Sequence, residues 1–120
     1  AVRIGWCTTA AGYGCGTDAQ SWGFGYTGKK AHNGNFEPYA TKFESGDFVG
    51  CYIDFDRREI SYSINGTYYG PAFRNIQSMS TAPVYPCVVV KNGSVKFNFG
   101  SAEFHCGNKL RNGFVGIQNA

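Results

Sequence analysis

The sequence predicts an all-β domain, one antiparallel β-sandwich of short strands joined by tight turns. Three observations carry this. The 120 residues include 17 Gly, 8 Tyr, 10 Phe and 2 Trp but a single Leu, Leu110. That composition fits a helical bundle badly and lacks the polar bias of a disordered segment. Four Asn-Gly pairs, at 33–34, 65–66, 92–93 and 112–113, punctuate the chain. Asn-Gly supplies the two φ > 0 positions of a type I′ turn between antiparallel strands. No stretch shows a 3.6-residue apolar period over three turns.

The elements follow in order. Residues 2–7 read as a strand with Val2, Ile4 and Trp6 on one face. Gly23 to Lys30 reads as a Gly-rich strand and turn, and 31–38 (Ala-His-Asn-Gly-Asn-Phe-Glu-Pro) as a loop. At 48–55, Val49, Cys51, Ile53 and Phe55 alternate as a strand should. Ile60, Tyr62 and Ile64 alternate with Ser61 and Ser63, turn at Asn65-Gly66, and return through Thr67 to Tyr69 until Gly70-Pro71 ends the run. Residues 74–82 form a turn or a short helical piece. A second hairpin joins Val88–Val90 through Asn92-Gly93 to Val95, Phe97 and Phe99. A last strand lies around Phe114, Val115 and Ile117. Trp6, Tyr62, Phe97 and Phe99 are the expected interior.

Charge is mild and uneven. The net charge of +3 falls well short of a strongly basic nucleic-acid binder. Residues 1–36 are basic, 37–60 hold six of the eight acidic groups, and 61–120 are basic again. Separate acidic and basic zones bear on partner choice rather than fold. No signal peptide or membrane-length apolar run is evident. The chain starts at Ala1, as expected of a piece cut from something longer.

The five cysteines, Cys7, Cys15, Cys51, Cys87 and Cys106, include no C-x-x-C pair. Zinc sites usually show close-set ligand pairs, so no metal site is expected. The plain reading is reduced thiols, several buried as small apolar groups, in an intracellular protein. Asn65-Gly-Thr67 and Asn92-Gly-Ser94 match the glycosylation acceptor pattern, and inside a cell they are simply turns.

The sharpest apparent motif is Gly23-Phe24-Gly25-Tyr26-Thr27-Gly28-Lys29-Lys30, which nearly matches a phosphate-binding loop. Such a loop needs free amides at a helix N-terminus and a Ser/Thr for magnesium. Lys30 stands where the Ser/Thr belongs and no helix follows, so no nucleotide cofactor is expected. His32 and His105 are the only histidines, and neither lies in a catalytic motif. Asp54, Asp56 and Glu59 are interleaved with Arg57 and Arg58, which reads as a solvated turn rather than an acid/base pair. Lys29, Lys30 and His32 near Tyr26 and Phe36, with Lys91, Lys96 and Arg3, leave a basic RNA-contacting patch as the competing reading.

The whole pattern resembles a SPRY domain. The resemblance rests on Val2-Arg3-Ile4-Gly5-Trp6, Gly46-Asp47-Phe48-Val49-Gly50-Cys51-Tyr52-Ile53-Asp54, Ser63-Ile64-Asn65-Gly66, Gly70-Pro71-Ala72-Phe73, Tyr85-Pro86 and Phe97-Asn98-Phe99-Gly100. These motifs run in family order over nearly the whole chain. Gly28-Lys29-Lys30-Ala31-His32-Asn33 and Gly113-Phe114-Val115 look most like the SPRY domain of a DEAD-box RNA helicase. The SPRY domain of the U-type heterogeneous nuclear ribonucleoprotein is second.

The resemblance implies a bent sandwich, a relative of the concanavalin-like jelly roll, forming one domain over 1–120. It implies a module that binds a protein or peptide through edge loops in the nucleus or cytoplasm, with no catalysis or cofactor of its own. ATP and RNA turnover would belong to other parts of a helicase. The loop after Trp6, the Lys29–Asn33 loop and the Lys91–Gly93 turn would form the ligand surface. Lys29, Lys30, His32 and Asn33 lead as partner-binding residues, followed by Lys91 and Asn92; direct RNA contact is the alternative. The family usually places an aromatic-rich strand just before the segment matching Val2–Trp6, and this chain begins after it. An open edge there would invite dimerisation or strand exchange.

Overall fold

The computed structural model describes residues 1–99, which form two antiparallel sheets. Sheet A has the order β4-β3-β2-β1-β8, from β1 (Val2–Cys7), β2 (Ser21–Gly25), β3 (Lys29–His32), β4 (Asn35–Pro38) and β8 (Tyr85–Val90). Sheet B has the order β5-β6-β7, from β5 (Val49–Asp54), β6 (Glu59–Ile64) and β7 (Thr67–Phe73). A 3-10 turn at Gln77–Ser80 fills the stretch expected to hold a short helical piece. No helix among the described residues is long and apolar enough to cross a membrane.

Strand alternation sends Trp6, Trp22 and Phe24 of sheet A toward Ile60, Tyr62 and Ile64 of sheet B, and all six are buried. Phe24 is the hub. Its ring lies 5.0 Å from Tyr62, 5.2 Å from Phe43 and 5.4 Å from Tyr39, distances at which tilted and edge-to-face aromatic pairs attract. The Tyr62 hydroxyl reaches across to the Trp22 carbonyl at 3.4 Å, so the two sheets are also tied by a polar bond. On the far side of β6, Ser61 and Ser63 are buried too. Tyr68 donates to the Ser61 hydroxyl at 3.0 Å, and the Tyr52 hydroxyl lies 3.2 Å from that of Ser63.

The Asn65-Gly66 hairpin forms as expected, with φ of +50° and +85°. Asn33-Gly34 makes a second one, with φ of +51° and +77°. The loop expected over 31–38 is therefore the β3–β4 hairpin. All four residues of β4 are exposed, so no apolar alternation marks that strand in the sequence.

The expected hairpin at Asn92-Gly93 does not form. The Lys91 amide and carbonyl pair with Ala1 instead, at 2.8 Å each, which extends the β1–β8 ladder by one residue. Only Asn92 turns to positive φ, +58°, and a type I′ turn needs both central residues there. Val95, Phe97 and Phe99 consequently lie outside any strand. Phe97 and Phe99 are 56% and 40% exposed, stacked on each other at 5.4 Å, and are not part of the interior.

Two smaller expectations are also corrected. β7 runs through Gly70-Pro71 to Phe73 rather than stopping there. β5 ends at Asp54, whose carboxylate accepts the Asp56 and Arg57 amides at 3.0 Å each. The chain turns there, so Phe55 is exposed; Val49 and Ile53 pack on the core, whereas Cys51 between them, opposite Tyr62, is exposed. β1 itself is flanked by β2 and β8. The edge strands among the described residues are β4, β8, β5 and β7. The expected strand around Phe114–Ile117 lies outside the described residues.

Candidate functional site

The loop after β1, residues 8–20, folds back over the outer face of sheet A. The register there places Gly5, Gly23 and Ala31 side by side, a strip with almost no side chain to hold the loop away. At Gly23 a Cβ would meet the Cys15 carbonyl oxygen at 3.0 Å and Arg3 Cδ at 2.9 Å. Arg3 Nη1 donates to the Cys15 carbonyl at 3.0 Å while its guanidinium covers the Phe36 ring at 5.0 Å. The Asp18 carboxylate accepts the Gly12 amide at 2.7 Å, the Gln20 amide at 2.9 Å and the Ser21 hydroxyl at 3.1 Å. These bonds, the Gly12 amide foremost, hold its pKa below the usual carboxylate range.

The same loop meets the β3–β4 turn. The Asn33 amide donates to the Asp18 carbonyl at 2.9 Å and the Gly34 amide to the Gly16 carbonyl at 3.1 Å. Two stretches distant in sequence thus become one rigid rim, and Tyr13 projects from it fully exposed.

Beside this rim lies a cavity of about 360 Å³ whose walls include Ala19, Trp22, His32, Phe73, Arg74 and Gln77. That volume is in the range of small-ligand pockets. Its back wall is fixed. His32 stacks on Trp22 with ring centroids 5.0 Å apart and planes 7° from parallel, and the Phe73 edge lies 6.1 Å away. His32 Nδ1 is 2.9 Å from the Ser21 carbonyl, which can only accept, so Nδ1 carries the proton. In the neutral tautomer this leaves Nε2 as an acceptor.

The six residues singled out in the sequence do not form one patch. His32 and Asn33 lie together at the rim and cavity. Lys29 is exposed at the other end of β3. Lys30 sends Nζ to the Ala72 carbonyl at 2.9 Å and over the Phe73 ring at 5.8 Å, so it ties sheet A to β7. Lys91 and Asn92 follow β8 beside Ala1, whereas the loop after β1 begins at the opposite end of that strand. A strand of this size separates the two ends by about 17–20 Å. Lys29, Lys30 and His32 also stand on a strand rather than in a loop.

Sequence reasoning passed over Trp22, Phe73 and Arg74. Trp22 was findable, since Trp22 and Phe24 alternate with Gly23 and Gly25 as an inward-facing strand would. Arg74 had no signal, because only the course of the chain after β7 brings it to the cavity.

The phosphate-loop lookalike is spent on structure. Gly23 and Gly25 lie in the β1–β2 ladder, the Gly28 amide donates to the Gly25 carbonyl at 2.9 Å, and the Gly28 carbonyl accepts the Tyr39 and Ala40 amides. The acidic group at 54–59 is the β5–β6 turn, as read from the sequence. His105 and Cys106 lie outside the described residues.

Comparison with known proteins gives this geometry a family. The SPRY domain family matches residues 1–102. The ATP-dependent RNA helicase Ddx1 of Drosophila melanogaster is 40% identical over 118 residues, 98% of this chain and 16% of that protein. ATP-dependent RNA helicase DDX1 of Xenopus laevis matches at the same identity and coverage. This chain thus spans only 16% of the length of those curated relatives. The crystal structure of the SPRY domain of human HERC1 aligns with a TM-score of 0.62 at 27% identity, covering 72% of this chain and 54% of that one. The two-sheet sandwich, the family match over most of the chain and the helicase relatives together show that this chain belongs to the SPRY domain family, whose members are typically protein-interaction modules.

Proposed function

We propose that this SPRY domain is a non-catalytic interaction module that seats a peptide segment of a partner protein between the 8–20 loop, the Asn33–Gly34 turn and residues 73–77. We place it within a larger ATP-dependent RNA helicase acting in the nucleus or cytoplasm. One observation carries the reading: three separate stretches of chain converge on one cavity whose aromatic wall is immobilised by the His32–Ser21 and His32–Trp22 contacts. Preformed walls reduce the ordering cost of binding. Phe73 offers apolar contact, Arg74 a charge-assisted donor, and His32 an acceptor. Loops held on a rigid sandwich suit recognition.

The test is a displayed peptide library selected on the domain, followed by titration of the enriched peptides. Affinity should fall about tenfold or more in Arg74→Ala, consistent with loss of a charge-assisted bond. Asn33→Gly keeps the positive-φ turn, so it reports on the Asn33 side chain alone. Single- and double-stranded RNA are titrated in parallel at two salt concentrations. Salt-sensitive RNA binding that disappears in Lys29→Glu/Lys91→Glu, with no peptide enriched, would favour the RNA reading instead.

A further inference from the structure

The outer face of sheet A carries a cluster of thiols that the proposed function does not use. Cys87 on β8 stands opposite Gly5 of β1, and Cys7 lies two residues along on the same face. Cys15 comes from the loop above and is buried, whereas Cys7 and Cys87 are partly exposed. The sulfurs of Cys15 and Cys87 are 2.8 Å apart. A disulfide bond length is about 2.05 Å, so they need to close by less than 1 Å. Both positions are held in place. Cys87 is fixed by the β1–β8 ladder. Cys15 is fixed by the Arg3 bond to its carbonyl and by its own thiol on the Trp22 carbonyl at 3.6 Å.

We propose that Cys15 and Cys87 form a reversible disulfide under a peroxide oxidant, fastening the 8–20 loop to β8. The order of events follows from exposure. Cys87, the partly exposed thiol, loses its proton to solvent and attacks one peroxide oxygen. An S–O bond forms, the O–O bond breaks, and the departing hydroxide takes up a proton as water. The buried Cys15 sulfur then attacks the Cys87 sulfur. The S–S bond forms, the S–O bond breaks, and the hydroxide leaves as a second water with the Cys15 proton. Two thiols give two electrons to one peroxide. Two equivalents of a small thiol reverse the change.

The same surroundings set the speed. The bond to Cys15, then burial, pushes the Cys87 thiol far up, and burial, then Cys87, raises Cys7 to about 11. The thiolate is the nucleophile, so oxidation is slow at neutral pH and accelerates as pH rises.

The chain is treated with hydrogen peroxide at pH 7 and pH 9, quenched with an alkylating reagent and mapped by mass spectrometry. The expected result is loss of two of the five alkylatable thiols, a peptide pair joining residues 15 and 87, and a rise of several degrees in Tm. A dithiol reductant should reverse all three, and the rate should be about a hundredfold higher at pH 9, tenfold per pH unit for a thiol held well above this range. Cys15→Ser and Cys87→Ser should each abolish the cross-link, whereas Cys7→Ser should retain it. Peroxide that yields only sulfinic acid at Cys87, or a cross-link that joins other cysteines, overturns the proposal. Mapping the unmutated chain separates these outcomes even if a serine variant does not fold.

Discussion

The Tyr39 hydroxyl accepts the Tyr62 amide proton at 3.2 Å and donates to the Gly70 carbonyl. It repairs the β6–β7 ladder where the register shifts between Ser61 and Ser63 and where Pro71 has no amide to offer. Tyr39→Phe keeps the ring beside Phe24 but strands a buried amide and a carbonyl. It should cost about 1–3 kcal/mol, read as a lower urea midpoint at unchanged slope. A loss below about 0.5 kcal/mol would mean that water or a shifted strand replaces the hydroxyl.

Tyr39 also gives the fold an alkaline limit. Burial raises its pKa from 10.0 to about 12. Below pH 10 the folded and unfolded chains both hold the phenolic proton. Between pH 10 and about 12 the unfolded chain releases it first, so stability falls with rising pH across that window. Denaturation at pH 9, 10 and 11 should show the fall. It should be shallower in Tyr39→Phe, yet still present, because burial pushes Tyr62 well above its ordinary value too.

The neighbouring lysines Lys29 and Lys30 have different roles. Lys30→Ala removes the bond to the Ala72 carbonyl and the cover over Phe73, and should cost about 1–2 kcal/mol. Lys29→Ala, at an exposed site, should stay within about 0.5 kcal/mol of the unmutated domain. Equal effects in chemical denaturation would sink the assignment of Lys30 as a tie between the sheets.

The contrast between two Asn-Gly pairs shows what the sequence could reveal. Asn65-Gly66 was legible because everything it needs is local: two positive-φ residues between runs that alternate in register. Asn92-Gly93 carries the same letters, yet Lys91 pairs with Ala1, some ninety residues away, and no local pattern encodes that choice. The β3–β4 hairpin escaped for the opposite reason, since its turn was visible but its exposed second strand buries nothing. The site followed the same division. His32 and Asn33 were reached through the family resemblance of the Gly28–Asn33 segment, whereas Arg74 reaches the cavity only through the packing of β7 against β3. Lys91 and Asn92 were grouped with them by the same resemblance, and nothing local in their sequence says on which end of a sheet they fall.

Gly28 separates the structural reading of the Gly-Lys-Lys segment from the phosphate-binding one. Its φ is +90°, and a Cβ there would stand 2.5 Å from the Ala40 carbonyl oxygen and 2.9 Å from the Thr41 carbonyl carbon. Both obstacles are backbone, so no side-chain rotation relieves them. Gly28→Ala should therefore cost at least about 2 kcal/mol, from the left-handed conformation and the crowding together. A phosphate-binding loop would predict a nucleotide-dependent rise in Tm that this variant abolishes. Here the Gly28 amide is already given to Gly25 and that of Tyr26 to the Val2 carbonyl. Millimolar ATP with magnesium should accordingly leave the Tm of the domain unchanged, while Gly28→Ala lowers it with or without nucleotide. A Tm that rises with ATP in the unmutated chain would show that these amides can be released to a phosphate.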